Sequence, residues 1–400
     1  MSTIEPRVQD GPPPDGPPPR TRRRLRLVAL AVVVVVVASV AVWSDHEAGR
    51  YYVYQPGTAP QLTTSAACVL DTSTGDLRLP GGAPCARLIL PAARTHPITG
   101  TLLMVDVLVG QATPAEYIEH ELGLLNTFHR GSQLVPDADV LGTTPASQLA
   151  CQDDQEMSQA TSTAPVAALG RLGYKVAEVL HGAQVMEVLP GTAAAKAGVE
   201  CNDLITAVDG HATTTSTALG AAIRAHPPGA SITLTVRRTG AGGATTTHIL
   251  HATLESEAGA KGAAAHTGFL GVASDTDLTY TLPFGVQVDV GDIGGPSAGL
   301  AITLGLLDAL SGGHLTGGHT VAVTGTISAD GAVGDVGGVA QKTVAVERAG
   351  ATLFLVPPEE LGAARSEANG KMKIEAVTTL DGALADLKAI GGRIPAPAQS

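Results

Sequence analysis

Hydropathy divides the chain into stretches of different period. The longest apolar run, LVALAVVVVVVASVAVW (27–43), has only one serine in it. A bilayer core about 30 Å thick needs roughly 17–25 such residues in a helix, so the run is just long enough to span. Beyond it, short β-like runs such as TLLMVDVLV (101–109) mix with a helical pattern, PAEYIEHELGLLNTF (114–128). CQDDQEMSQATSTAP (151–165) is polar and helix-capable, and residues 165–255 are rich in strand-like segments. The Gly/Ala-rich AGAKGAAAHTG (258–268) reads as a linker. After it, FLGVAS, FGVQVDV, a helix from 297, HTVAVTGTI, a helix from 339 and ATLFLVP alternate, which is the profile of an α/β unit. The expected organisation is a tail (1–24), a transmembrane helix (25–43), an N-terminal region (44–160), a β-rich domain (165–255), a linker (256–268), an α/β domain (269–390) and a short tail (391–400).

Charge orients the apolar run. Arg20, Arg22, Arg23, Arg24 and Arg26 precede it, and Asp45 and Glu47 follow. Basic residues stay on the cytoplasmic side, which leaves everything after residue 43 extracytoplasmic on a single-pass anchor. Ser39-Val40-Ala41 supports the competing reading of a cleaved signal peptide, in which the bulk of the protein is exported all the same. The preceding GPPPDGPPP cannot pack a core and reads as a disordered cytoplasmic tail. A net charge of -12 argues against nucleic-acid binding. Of the four cysteines none forms a CxxC pair, so no metal site is expected. Cys68 and Cys85 flank the turn-rich DTSTGDLRLPGGAP and are the candidate disulfide of an exported protein; the alternative is four small buried side chains.

Two segments carry candidate chemistry. In GDIGGPSAGLAITLGLLDAL (291–310), Pro296 suits the first turn of a helix. Ser297 then sits at a helix N-terminus, either as a plain cap or as a nucleophile whose oxyanion the nearby amides would hold. Gly295, Pro296 and Ala298 would shape that turn. The GxSxG pattern also fits the nucleophile elbow of α/β-hydrolases, but His314 and His319 alone follow the serine, too close for that fold. Without a histidine, a lysine amine is the usual activator. Lys342 stands in the first turns of the helix in VGDVGGVAQKTVAVERAG (333–350), among Val339, Ala340, Val344 and Ala345, with Gly350 as the stop. Its pKa of ~10.4 must fall to roughly 7–8 for base catalysis, a shift that burial can produce.

In the β-rich segment, VMEVLPGTAAAKAGVECNDLITAVDGHA shows a strand, a short helix stopped by Gly198, and a second strand turning at Asp209-Gly210. This resembles PDZ domains of exported bacterial proteases, with Asn202 where the family usually has Gly. Asn tolerates positive φ. The helix over 217–225 and the strand SITLTVRR (231–238) fit the same fold. The resemblance implies a peptide ligand added as an extra strand, its terminal carboxylate held by backbone amides; the alternative is a packing module with no ligand.

Together, GGPSAGLAITLGLLDAL and VAVTGTISADGAVGDVGGVAQKTVAVERAGATLFLVP resemble the proteolytic domain of Lon proteases over about residues 269–390. The likeness implies Ser297 as nucleophile, Lys342 as general base and Thr324 as the residue that orients the lysine. The family often has Asp just before Gly-Pro-Ser where this chain has Gly295, which leaves Asp292 as the nearest acidic candidate. No GxxxxGK[ST] loop occurs, so neither ATP nor any other cofactor is expected. The layout as a whole resembles bacterial membrane-anchored PDZ proteins with a C-terminal Lon-type domain. It implies an ATP-independent serine endopeptidase for unfolded exported polypeptides, with a ring-forming tendency. The rival is a non-catalytic PDZ adaptor with a Lon-like oligomerising domain.

Overall fold

The structure is a computed structural model. It describes residues 19–396 except 75, 142–145, 241–242, 258, 260, 263–265 and 292, and no side chains for 19–32, 146, 147 and 150. The Asp292 candidate and the outer parts of both predicted tails lie outside the described residues. Helix α1 spans Pro19–Ala48 and so takes in the arginine cluster as well as the apolar run. Its described part thus begins ahead of the expected residue 25, and arginine is a good helix former. Among the described residues no helix is long and apolar enough to cross a membrane, and the first residues of the apolar run are among those without described side chains.

The N-terminal region then supplies β1 (Tyr51–Pro56), β2 (Gln61–Thr63), β3 (Cys85–Ile89), β4 (Thr101–Leu103) and β5 (Val107–Gln111). It continues through α2 (Pro114–Glu121), β6 (Gln133–Pro136) and the long α3 (Ala146–Arg171). The expected single strand over 101–109 is two strands in different sheets. The expected helix over 114–128 breaks at Gly123, whose φ is 68°. Helix α3 runs through Pro165 because Ala164, Ala167, Ala168 and Leu169 beside it are buried and hold it in place.

Next come β7 (Ala177–Val188), β8 (Leu204–Val208), α4 (Ser216–Arg224), β9 (Ser231–Thr239), β10 (Thr245–Thr253) and β11 (Val272–Thr281). These strands form one antiparallel sheet in the order β10-β9-β8-β7-β11. The predicted turn chemistry is present: Gly198, Asn202, Asp209 and Gly210 all have positive φ. The boundary differs. β11 heads the expected α/β unit in sequence, yet it pairs with β7 over ten residues and closes the other sheet.

The chain ends with β12 (Gln287–Asp289), α5 (Gly299–Leu310), β13 (Thr320–Val323), α6 (Val339–Arg348), β14 (Leu353–Val356) and β15 (Lys373–Ala376). Their sheet runs β12-β3-β2-β4-β13-β14-β15, so the region set apart as 44–160 supplies three strands at its centre. Successive strand residues point to opposite faces. Leu353 and Leu355 accordingly join the core beneath α5 and α3, while Phe354 and Val356 join a second core beneath α6. Burial on both faces suits the parallel pairing of β4, β13, β14 and β15.

Both cysteine pairs are bonded. Cys68–Cys85 is the expected bridge. Cys151–Cys201, which the spacing did not single out, ties α3 to the turn before β8.

Candidate active site

The serine and lysine helices lie on opposite faces of the seven-stranded sheet and are linked beyond the end of β13 through Thr324. Gly295, at φ 83°, makes the turn into a short 3-10 segment, Pro296–Ala298, and α5 follows directly. A side chain at Gly299 would press against Ile327, so the close approach of this turn to 324–327 requires glycine. Two backbone bonds fix the contact: the Gly325 N–H donates to the Ser297 carbonyl at 3.0 Å, and the Leu300 N–H to the Gly325 carbonyl at 3.1 Å.

Thr324 joins the two faces. It is fully buried directly after β13, and its amide donates to the Leu355 carbonyl. Its hydroxyl accepts from the Lys342 ammonium at 3.3 Å and reaches the Ser297 carbonyl at 3.4 Å. Lys342 is the fourth residue of α6, only 3% exposed. Burial lowers its pKa from 10.5 to about 8, and the charges of Asp106 and Glu360 oppose the shift. A shift of that size has a visible cause: the lysine is buried, its bond to Thr324 is neutral, and desolvation outweighs the two carboxylates.

Asp106 is the acidic residue that sequence reasoning missed. It comes from the N-terminal region, 236 positions before Lys342 in the chain numbering, and both line one groove of about 1040 Å³ that also contains Ser297. Its carboxylate accepts from the Thr58 amide at 2.5 Å and the Thr58 hydroxyl at 2.7 Å. Gly57 permits this, since a Cβ there would run into the carboxylate. Only the apolar run TLLMVDVLV, broken by one acid, hinted at it. Glu360, reaching Lys342 from the segment after β14, has its pKa raised, chiefly by burial. On the far wall Asp153 and Glu156 of α3 are also raised, burial first and a neighbouring carboxylate second. The Gly295 amide donates to the Asp153 carbonyl at 3.1 Å, so it is engaged within the protein.

A second cavity, of about 510 Å³, lies between α4 and the stretch before β11. Leu219, Ile223, Phe269, Leu270 and Val272 line it. More than half of the residues lining this cavity were expected to be linker or the start of the α/β unit.

Residues 170–249 match the PDZ domain model, and residues 272–388 match that of the Lon protease (S16) C-terminal proteolytic domain. Lon protease 2 of Bacillus subtilis (strain 168) is 34% identical over 114 residues, covering 28% of this chain and 19% of that protein. Lon protease 1 of Sorangium cellulosum (strain So ce56) is 33% identical over 126 residues, covering 31% of this chain and 15% of that protein. The chain thus spans at most about a fifth of the length of these curated relatives. Among solved structures, the PDZ domain of the SdrC-like protein from Listeria monocytogenes aligns at 21% identity and a TM-score of 0.20, covering 24% of this chain and 90% of that one. A PDZ domain and a Lon-type proteolytic domain are present, together with likeness to Lon proteases over the second.

Proposed function

We propose that this chain is a serine endopeptidase in which Lys342 activates Ser297, acting on unfolded or flexible polypeptides without an ATPase of its own. One observation carries the reading: a buried lysine with a pKa of about 8 shares a groove with the serine and is joined to the serine's backbone through Thr324. An amine in that range is partly neutral near physiological pH and can take a proton. Ser297 would attack the peptide carbonyl as Lys342 accepts its proton, giving an acyl-enzyme that water then cleaves. Pro296 has no N–H and that of Gly295 is held by Asp153, so the oxyanion falls to the amides of Ser297 or Ala298. Thr324 orients the lysine, and Asp106 and Glu360 steady its charged form.

The PDZ cavity between α4 and Phe269–Val272 would receive a peptide along the edge of β11 and raise its local concentration at the groove. The arginines followed by the apolar run 27–43 support a single-pass anchor with the folded part outside the cytoplasm, and two disulfides agree with that compartment.

The test is cleavage of an unfolded protein by the full chain and by Ser297→Ala and Lys342→Met. Both variants should lose activity, and wild-type kcat/KM should rise with pH about a midpoint near 8. The sign follows from the lysine: only the neutral amine is a base. The folded pKa lies below the unfolded one, so the native state gains stability as pH rises from about 8 to 10.5. Lys342→Met should therefore be more stable at pH 7, by about 3 kcal/mol. Equal turnover by all three proteins would exclude the pair, and a wild type that binds unfolded chains without cleaving them would make it an adaptor.

A further inference from the structure

The wall of the groove that begins at Asp106 is an open strand edge. Among the described residues β5 ends the three-stranded sheet β5-β1-β6, pairing with β1 on one side only. Val107, Leu108 and Val109 all line the groove. Consecutive strand residues face opposite ways, so three in a row along one cavity mean that the groove follows the strand's edge.

The hydrogen bonds identify which amides face out. The Met104 N–H donates to the Pro60 carbonyl, that of Asp106 to Thr58, and that of Ala112 to Tyr51. These even-numbered amides all turn toward the body of the protein. In an antiparallel ladder direction alternates, which turns Leu108 and Gly110 the same way and sends the amides and carbonyls of Val107 and Val109 outward. At its inner end the strand is seated: the Val107 side chain lies so close to Gly338, just ahead of the lysine helix, that a Cβ there would come within 2.7 Å. Further along it is open. A Cβ at Gly110 would meet nothing, and Leu108 and Val109 are 56% and 49% exposed. Proteins normally cover, charge or bend such an apolar edge, because it is a template for pairing.

We infer that the polypeptide substrate enters the groove as an extended strand paired to Val107 and Val109 of β5, recognised through its backbone. The inference rests on the peptidase reading of the same groove. Two outward residues offer two N–H and two C=O groups, spaced about 6.8 Å along the strand. Only a segment whose own amides are unpaired can meet them, so the edge selects unfolded chain and tolerates varied side chains.

The experiment is an N-methyl scan of a fluorescent peptide that the full chain binds, with one backbone amide methylated at a time. N-methylation removes a donor and adds bulk while the side chain stays unchanged. Binding to the Ser297→Ala chain should weaken about tenfold at alternate positions and hold between them, and wild-type kcat/KM should follow the same period of two. Val109→Pro, which removes an outward N–H but no bond to β1, should weaken binding of the parent peptide as well. A scan that is flat or uniformly weakened, with the parent peptide cleaved, overturns the pairing and leaves the peptidase reading standing. A scan of period two that Val109→Pro weakens, without turnover by the wild type, supports the pairing and overturns the peptidase reading. A scan of period two that Val109→Pro leaves unchanged puts the peptide on the edge of β11 and overturns the pairing to β5.

Discussion

The two sheets of this molecule are built in opposite ways. In the PDZ sheet β7, β8, β9 and β10 are neighbours in chain order, and only β11 pairs out of that order, with β7. The proteolytic sheet draws β2, β3 and β4 from before the PDZ domain and β12 to β15 from after it. The PDZ domain is therefore an insertion, leaving at Ala177 and returning at Thr281, residues that face each other in the ladder. At its base the Tyr174 and Phe284 rings meet edge to face at 5.6 Å. An inserted domain whose ends touch costs its host little, whereas strands inside the host's sheet are indispensable.

Deletions should separate these roles most sharply. Removing 59–103 takes out the middle of the seven-stranded sheet and strips cover from Leu300, Leu304 and Leu307. No cooperative unfolding transition should remain. Excising 175–282 and joining Tyr174 to Pro283, with Cys151→Ser to avoid a stray thiol, should leave a folded protein. Its thermal melt should be as sharp as that of the parent. A collapsed melt after excision would mean that the two sheets form one cooperative body.

The disulfides test the same division at smaller scale. Cys151–Cys201 closes a span of 50 residues and ties the host's α3 to the inserted domain. Cys68–Cys85 closes 17 residues within the host. Chain entropy assigns about 4 kcal/mol to the longer loop and about 3 kcal/mol to the shorter. Paired Cys→Ser variants, compared by denaturant titration, should follow that order. Loss of Cys151–Cys201 alone should also split the transition in two, because the remaining polar ties across that junction, such as Gln155 to the Val185 carbonyl and to Asn202, are few. A single unsplit transition would show that packing along α3 couples the domains without the bridge.

What could be read from sequence follows the same contrast. Gly198, Asn202, Asp209-Gly210 and Gly350 are local signals, each written by the φ its own turn needs, and each stands where expected. Ser297 and Lys342 were legible as helix starts, because proline and glycine mark the turns before them. The membership of β2 to β4 in the proteolytic sheet was not legible: β4 pairs with a strand more than 200 positions away, and nothing in a short apolar run specifies its partner. Asp106 was lost with them. It looked like a polar interruption in one strand, whereas it stands between two strands that belong to different sheets. The apolar run 27–43 remains a matter of composition and flanking charge.

The smallest effect concerns two fully buried aspartates, one in each region. In the PDZ domain Asp203 receives two 2.7 Å bonds from the Arg238 guanidinium and one from the Glu200 amide. In the proteolytic domain Asp308, near the end of α5, accepts only from the Leu315 amide, and its second oxygen has no partner among the described residues. Burial raises the Asp308 pKa from 3.8 to about 6, opposed by that bond and by His314. The native state therefore holds the proton more tightly than the unfolded chain, and stability falls as pH rises from about 4 to 6. Above that window the buried charge is a standing cost, and Asp308→Asn should stabilise the protein at pH 7.5 by at most about 3 kcal/mol. The gain should vanish below pH 4, where the native aspartate is already neutral. Asp203→Asn should have the opposite sign, since it removes the buried charge that Arg238 pairs with and leaves the guanidinium only Glu200 and the Gly198 carbonyl. If Asp308→Asn destabilises equally at both pH values, the carboxylate is satisfied by a contact outside these bonds, and the two buried acids are alike after all.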